Sequence, residues 1–263
     1  MNNELRRPTN LQVIGAIAWR EITLALRRRL VKLLFLGNLI PPLVMAVVLI
    51  ANIAAKGIGV EDLGWDPLLR LIQIQAGPVL LLALGIGTPL IAGDRSKDVL
   101  FLYATRPVTP WSYTFGKMLA VALPAAALLL VPGILMAILR VGLMAEFGLL
   151  EAITLIYKVA IVAVLASCGF AGVSVGPSAA TKKARWALLL ALMCFVIPKA
   201  LSELIFTSRA YAFSPGQAVD DVITALFEHG MASYGVVAGF VLVLWGALGA
   251  WVTAARVRRE MIP

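Results

Sequence analysis

Residues 117–139 read KMLAVALPAAALLLVPGILMAIL, and after the opening lysine no charged side chain interrupts them. Roughly 20 apolar residues at 1.5 Å per residue cross about 30 Å of hydrocarbon, so this run has the length and character of a membrane-crossing helix. Working outward, similar runs occupy 33–54 and 73–92 before it and 152–176, 186–206 and 234–254 after it. Continuous apolarity of that length excludes the alternating ten-residue strands of a barrel, and only helices or closed barrels satisfy their backbone in lipid. The chain therefore reads as all-α and polytopic. A six-helix membrane domain over 33–254 is preceded by an N-terminal segment, 1–32, and followed by a basic tail, 255–263.

Composition agrees. Of 263 residues 61% are hydrophobic and only 14% charged, with mean hydropathy +0.93; soluble domains carry about 25% charge. A single soluble core is excluded. The net charge of +9 would suggest nucleic acid in a soluble protein, but here it lies beside membrane spans. An anionic inner leaflet is the simpler partner, and no nucleic-acid binding is expected.

Most of the 23 Lys and Arg residues fall in alternate connectors. They cluster before span one (Arg6 to Lys32), between spans two and three (Arg95, Lys97, Arg106, Lys117), between four and five (Lys182, Lys183, Arg185) and at the end (Arg256, Arg258, Arg259). Retention of positive charge on the cytoplasmic side then places both termini in the cytoplasm of an inner-membrane protein. Cys168 and Cys194 lie within spans and His229 stands alone, so neither a disulfide framework nor a metal site is expected.

Residues 11–29 form an amphipathic helix on the membrane surface by their spacing. Leu11, Ile14, Ala18, Ile22 and Ala25 share a stripe opposite Arg20 and Arg27, with Val13, Ile17 and Leu24 toward the polar side. Two readings stand side by side here, a basic interfacial anchor and a face covered by a partner protein. The apolar run after Arg27–Arg29 is too long for a signal peptide, and no cleavage is expected. Pro41, Pro42, Pro78, Pro89, Pro124, Pro132 and Pro198 mark bends within spans.

Ionisable residues inside spans cost about 2.5 to 3.5 kcal/mol even on insertion scales, which makes Lys158, Lys199 and Glu203 candidates for a substrate path. Lys199 and Glu203 are four apart and can pair. The bland reading of all three is snorkelling and structural pairing. The outer connector, 207–233, contains a helix starting at Asp220 and Asp221 and stopping at Gly230. It reads equally as a lid or re-entrant turn and as an inert surface helix.

The connector from Gly93 to Lys117, GDRSKDVLFLYATRPVTPWSYTFGK, mixes both charge signs with a helix-like core and a proline break. Asp94 is placed to cap a short helix running to about Tyr103, which Pro107 and Pro110 terminate. Gly93-Asp94-Arg95, then Leu100 and Leu102, then Pro107-Val108-Thr109, then Gly116-Lys117 follow in order. In this the chain resembles the ABC-2-type permease family, the membrane subunits of ATP-driven exporters. Asp94 replaces that family's usual Glu, Asp98 takes a place often held by Gly, and Phe101 stands where a second acidic residue is common.

The resemblance implies a permease that exports its substrate as a homodimer or related heterodimer, each copy bound to a separate ABC ATPase subunit that carries ATP and magnesium. The short helix would be the coupling helix. The ATPase-coupling interface would comprise Asp94, Arg95, Lys97, Asp98, Leu102, Tyr103 and Arg106. The chain itself lacks a G-x-x-x-x-G-K-[ST] phosphate loop, an H-E-x-x-H or a G-x-S-x-G, so no catalysis and no cofactor of its own are expected. An autonomous secondary transporter or channel, and a membrane scaffold, are the alternatives. Spans poor in acidic residues speak against ion-driven transport.

Overall fold

The computed structural model describes residues 9–57, 66–104, 108–143, 148–205, 213–228 and 232–261. These form α1 (Asn10–Leu26), α2 (Arg29–Gly37), α3 (Ile40–Gly57), α4 (Pro67–Ser96), α5 (Val99–Ala104), α6 (Pro110–Leu143), α7 (Leu149–Ala180), α8 (Ala184–Ile205), α9 (Pro215–Phe227) and α10 (Ala232–Met261). There is no strand among the described residues. Six helical stretches are long and apolar enough to cross a membrane: α2 with α3, α4, α6, α7, α8 and α10. The fold is that of a multi-pass membrane protein.

Four of these helices outrun the apolar stretches that define them. α4 and α10 have 30 residues, α7 has 32 and α6 has 34, or about 45 to 51 Å at 1.5 Å per residue. Gly93, Asp94 and Arg95 consequently lie in the last turns of α4. The expected helix from Asp94 to Tyr103 is therefore divided. Asp94 caps nothing, the break comes at Asp98, and the short helix starts at Val99.

α7 is the centre of the bundle, touching α4, α6, α8, α9 and α10. Its packing on α10 depends on small residues that let two backbones touch, as in other membrane helix pairs. A Cβ on Gly172 would collide with the Trp245 carbonyl, and one on Gly176 would come within 3.1 Å of Gly249 Cα.

Prolines inside the long helices leave carbonyls without an N–H partner four residues on, and neighbouring side chains supply one. Pro132 frees the Leu128 carbonyl, which accepts from Asn38 Nδ2 at 2.9 Å. Pro89 frees the Gly85 carbonyl, which accepts from Arg28 Nη1 at 3.3 Å. One turn on, the Ser178 hydroxyl enters the α4 ladder, donating to the Thr88 carbonyl at 2.8 Å and accepting from the Ile91 and Ala92 amides at 3.0 Å. The pair Pro41-Pro42 does not bend span one. It lies in the first turn of α3, where proline is tolerated, and the break falls just before it at Asn38 and Leu39.

α1 is fastened by a capping box between Thr9 and Gln12. Ile17, Ala18 and Ala25 are buried while Leu11 is 80% exposed. Ile17 thus belongs to the buried face and Leu11 does not, because that face packs on α6. Gly116 allows the approach, since a Cβ there would stand 2.8 Å from Ile17 Cβ.

Candidate functional site

The ends of α4, α7 and α10, the start of α6 and the whole of α5 meet where α1 crosses α6. Lys117, fully buried, sits about two turns inside α6 and reaches two carboxylates: Asp94 Oδ2 at 2.6 Å and Glu21 Oε1 at 2.9 Å. The Tyr113 hydroxyl, one turn earlier on the same face, donates to Asp94 Oδ2 at 2.7 Å. Three elements distant in sequence are thereby joined through one ammonium. Such a buried group is held only while its partners remain.

Beside this knot lies a second. Arg95 is 3% exposed and grips Glu260 of α10 with Nε and Nη2, at 3.0 and 2.7 Å, while Nη1 donates to the Ala179 carbonyl at 2.8 Å. Glu260 also takes Arg256 at 3.2 Å. The planar guanidinium fork therefore ties together the last turns of α4, α7 and α10.

Between the two long helices hangs α5. After Ser96 the backbone turns through Asp98, the one non-glycine residue with positive φ among the described residues, at 52°. That left-handed conformation favours glycine and tolerates Asp because its side chain is short. α6 is then started by Thr109, whose hydroxyl accepts from the Ser112 amide at 3.1 Å, while Ser112 Oγ accepts from the Thr109 amide at 3.0 Å. Pro110 follows at the first helical position. Leu100 is buried. Tyr103 packs edge-on against Tyr113 at 5.2 Å and accepts from Arg20 Nη1 at 3.2 Å.

The seven residues expected at a coupling interface thus divide. Lys97 and Asp98 face solvent at the corner between α4 and α5, and Tyr103 is half-buried. Asp94 and Arg95 face inward and are spent on Lys117, Tyr113 and Glu260, so they brace the corner and do not form its surface. The Leu102 side chain and Arg106 lie outside the described residues.

Glu21, Tyr113, Lys117 and Glu260 were not among the expected site residues, although two left a trace in the sequence. Glu21 follows Ala18 by three and precedes Ala25 by four, so it stands on the apolar stripe of α1, where a carboxylate requires a partner. Glu260 is the one acid in the basic tail.

At the opposite end Asp66 starts α4, accepting from the Leu68 amide at 2.9 Å and pairing with Arg140 of α6 at 2.6 Å. α9 is neither capped by Asp220 nor begun there; it starts five residues earlier, with Ser214 before Pro215. Nor does it lie on the surface. Ser214 Oγ donates to the Phe195 carbonyl at 3.2 Å and Trp245 Nε1 to the Phe213 carbonyl at 2.9 Å, both near the middle of long helices, while Ala225 meets Gly235 at the start of α10. The helix therefore runs from the middle of α8 and α10 to the start of α10. Gly230, its expected stop, lies outside the described residues.

Lys158 rests over the Phe227 ring, 5.6 Å from its centroid. Lys199 is exposed on a cavity of about 640 Å³ between α4, α7, α8 and α9, with Asp220 and Asp221 on its wall. The side chain of Glu203, the expected partner of Lys199, lies outside the described residues. Surrounding protein pushes both aspartate carboxyls above the usual range; Lys199 pulls Asp220 partly back, whereas the neighbouring charge of Asp220 pushes Asp221 further up. Compared with models of known protein families and with curated proteins, the chain matches none.

Proposed function

We propose that this chain is the permease subunit of an ABC exporter of the ABC-2 type, with its basic end in the cytoplasm and a separate ATPase docked against the α4–α5 corner. The observation that carries the reading is the architecture of Gly93 to Lys117. The described parts of this connector are the end of α4, the short α5 and the start of α6. Buried cations on both long helices, Arg95 and Lys117, pair there with Glu260 and Asp94, a bracing of the connector that favours passing on a push. Its left-handed residue, Asp98, stands at the place where the resembled family often has glycine. The motif's last pair also has physical roles, since Gly116 lets α1 come close and Lys117 closes the knot with Glu21 and Asp94.

On this reading ATP binding and hydrolysis belong to the partner, and force enters through Lys97 and Asp98. It passes through Lys117 into α6 and α1, and through Arg95 into α7 and α10. A second permease copy completes the transporter.

The test is affinity purification of the tagged chain from its native membrane, comparing wild type with Lys97→Glu/Asp98→Lys. An ATPase that co-elutes with wild type and is lost with the swapped pair, at unchanged yield of folded chain, supports the reading. Absence of any ATPase after crosslinking in gentle detergent overturns it.

A further inference from the structure

The cavity beside α9 has a chemistry that the coupling end lacks. One side is apolar: Leu80 of α4, with Phe170 of α7 and Phe195 of α8, whose rings are 5.9 Å apart. The other side carries charge, with Lys199 on α8 facing Asp220 and Asp221 on α9. Depth matters here, because Phe170 and Phe195 lie near the middle of their helices and the start of α9 reaches the same level. Lys199 and the two aspartates stand about one to two turns beyond that level, so the cavity has an apolar floor and a charged rim.

The balance of charge is uneven. Lys199 answers Asp220. The other described cation near the mouth, Arg70, donates from Nη1 to Gln73 Oε1 at 3.1 Å. Asp221 has no hydrogen bond or ion pair among the described residues, and the charge that bears on it is the like charge of Asp220. Two carboxylates against one ammonium disfavour an anionic guest. The aromatic rings add an electrostatic attraction for cations as well as an apolar surface.

We propose that this cavity binds an amphipathic organic cation, with the charged head against Asp221 and the apolar body against the wall formed by Leu80 and the Phe170–Phe195 ring pair. As the substrate class of an exporter the idea rests on the function proposed above. As a binding site it does not, and the two fail separately because binding requires no ATPase.

The experiment uses the purified full-length chain in detergent micelles and two probes of the same shape and opposite charge, tetraphenylphosphonium and tetraphenylborate, followed by equilibrium dialysis against empty micelles. The expected result is saturable binding of the phosphonium that the borate does not displace, weakened roughly tenfold or more by Asp221→Asn and restored in Asp221→Glu. Phe195→Ala weakens phosphonium binding as well. Equal saturable binding of the borate, or unaltered phosphonium affinity in Asp221→Asn, overturns the proposal. The comparison of the two probes on wild type decides it even where a variant fails to fold.

Discussion

Lys117 Nζ lies 2.6 Å from Asp94 Oδ2 with no exposed surface of its own, so one buried ammonium sets the distance between the end of α4 and the start of α6. Its second contact, with Glu21, fixes α1 against both. Replacing Lys117 by Met strands two carboxylates at once, and a loss of about 3 to 5 kcal/mol is expected from such a deletion. Removing all three charges together, in Glu21→Gln/Asp94→Asn/Lys117→Met, should recover a large part of that loss, since no unpaired charge is left behind. Thermal unfolding of the purified variants in detergent checks both; a triple variant less stable than Lys117→Met contradicts this account of the knot.

At Asp98 the prediction has the opposite sign. A left-handed φ of 52° costs an L-residue about 1 to 2 kcal/mol, less for Asp than for bulkier side chains. Asp98→Gly should therefore be neutral or gain up to about 1 kcal/mol, while Asp98→Val should lose about 1 to 2 kcal/mol. The side chain is exposed, so neither change is complicated by packing. Equal melting temperatures of the Gly and Val variants would remove the strain argument.

These two residues show what the sequence made legible. The six helices were readable because apolar length alone decides them, and the ordered elements from Gly93 to Lys117 marked the corner. The error was to stop α4 at Gly93. Glycine ends a helix only when the chain needs a left-handed residue there, and the pairings of Asp94 and Arg95 with other helices kept the helix running to Ser96. Which faces of Asp94 and Arg95 were inward could not be read locally, because their partners Lys117 and Glu260 lie on other helices. The start of α9 was missed for a related reason. Asp220 and Asp221 resemble a helix beginning, but Ser214-Pro215 is the stronger one, and the two acids were left to face the cavity.

The contact between α7 and α10 permits a prediction about backbone approach. A Cβ on Gly172 would strike the Trp245 carbonyl and Gly246, which are main-chain atoms and cannot turn aside. Gly172→Ala should force the helices apart and lose about 1 to 3 kcal/mol despite alanine's better helix propensity. Gly15, in α1, has nothing within 4 Å of its Cβ position. There the same substitution should gain about 0.5 to 1 kcal/mol. Denaturation midpoints of the two variants, moving in opposite directions from wild type, are the expected outcome.

The aspartates of the cavity predict a dependence on pH. Surrounding protein raises both carboxyls in the folded chain above the value near 3.9 that aspartate has when unfolded. Between the unfolded and the raised folded value the native state holds more protons than the unfolded state, so these groups make stability fall as pH rises through that window, and their full cost is present once the pH exceeds the folded value. The charge that bears on Asp221 is that of its neighbour Asp220 on α9; Lys199 of α8, on the same cavity, acts on Asp220, and Arg70 of α4 is held by Gln73. Asp221→Asn should therefore melt higher than wild type at pH 7, with the difference shrinking as the pH is lowered toward 4. Asp220→Asn should gain less, because it takes from Lys199 a favourable charge. Melting curves of the three chains across that range provide the measurement, and a pH-independent difference between wild type and Asp221→Asn would place the effect in packing, not in the carboxylate charge.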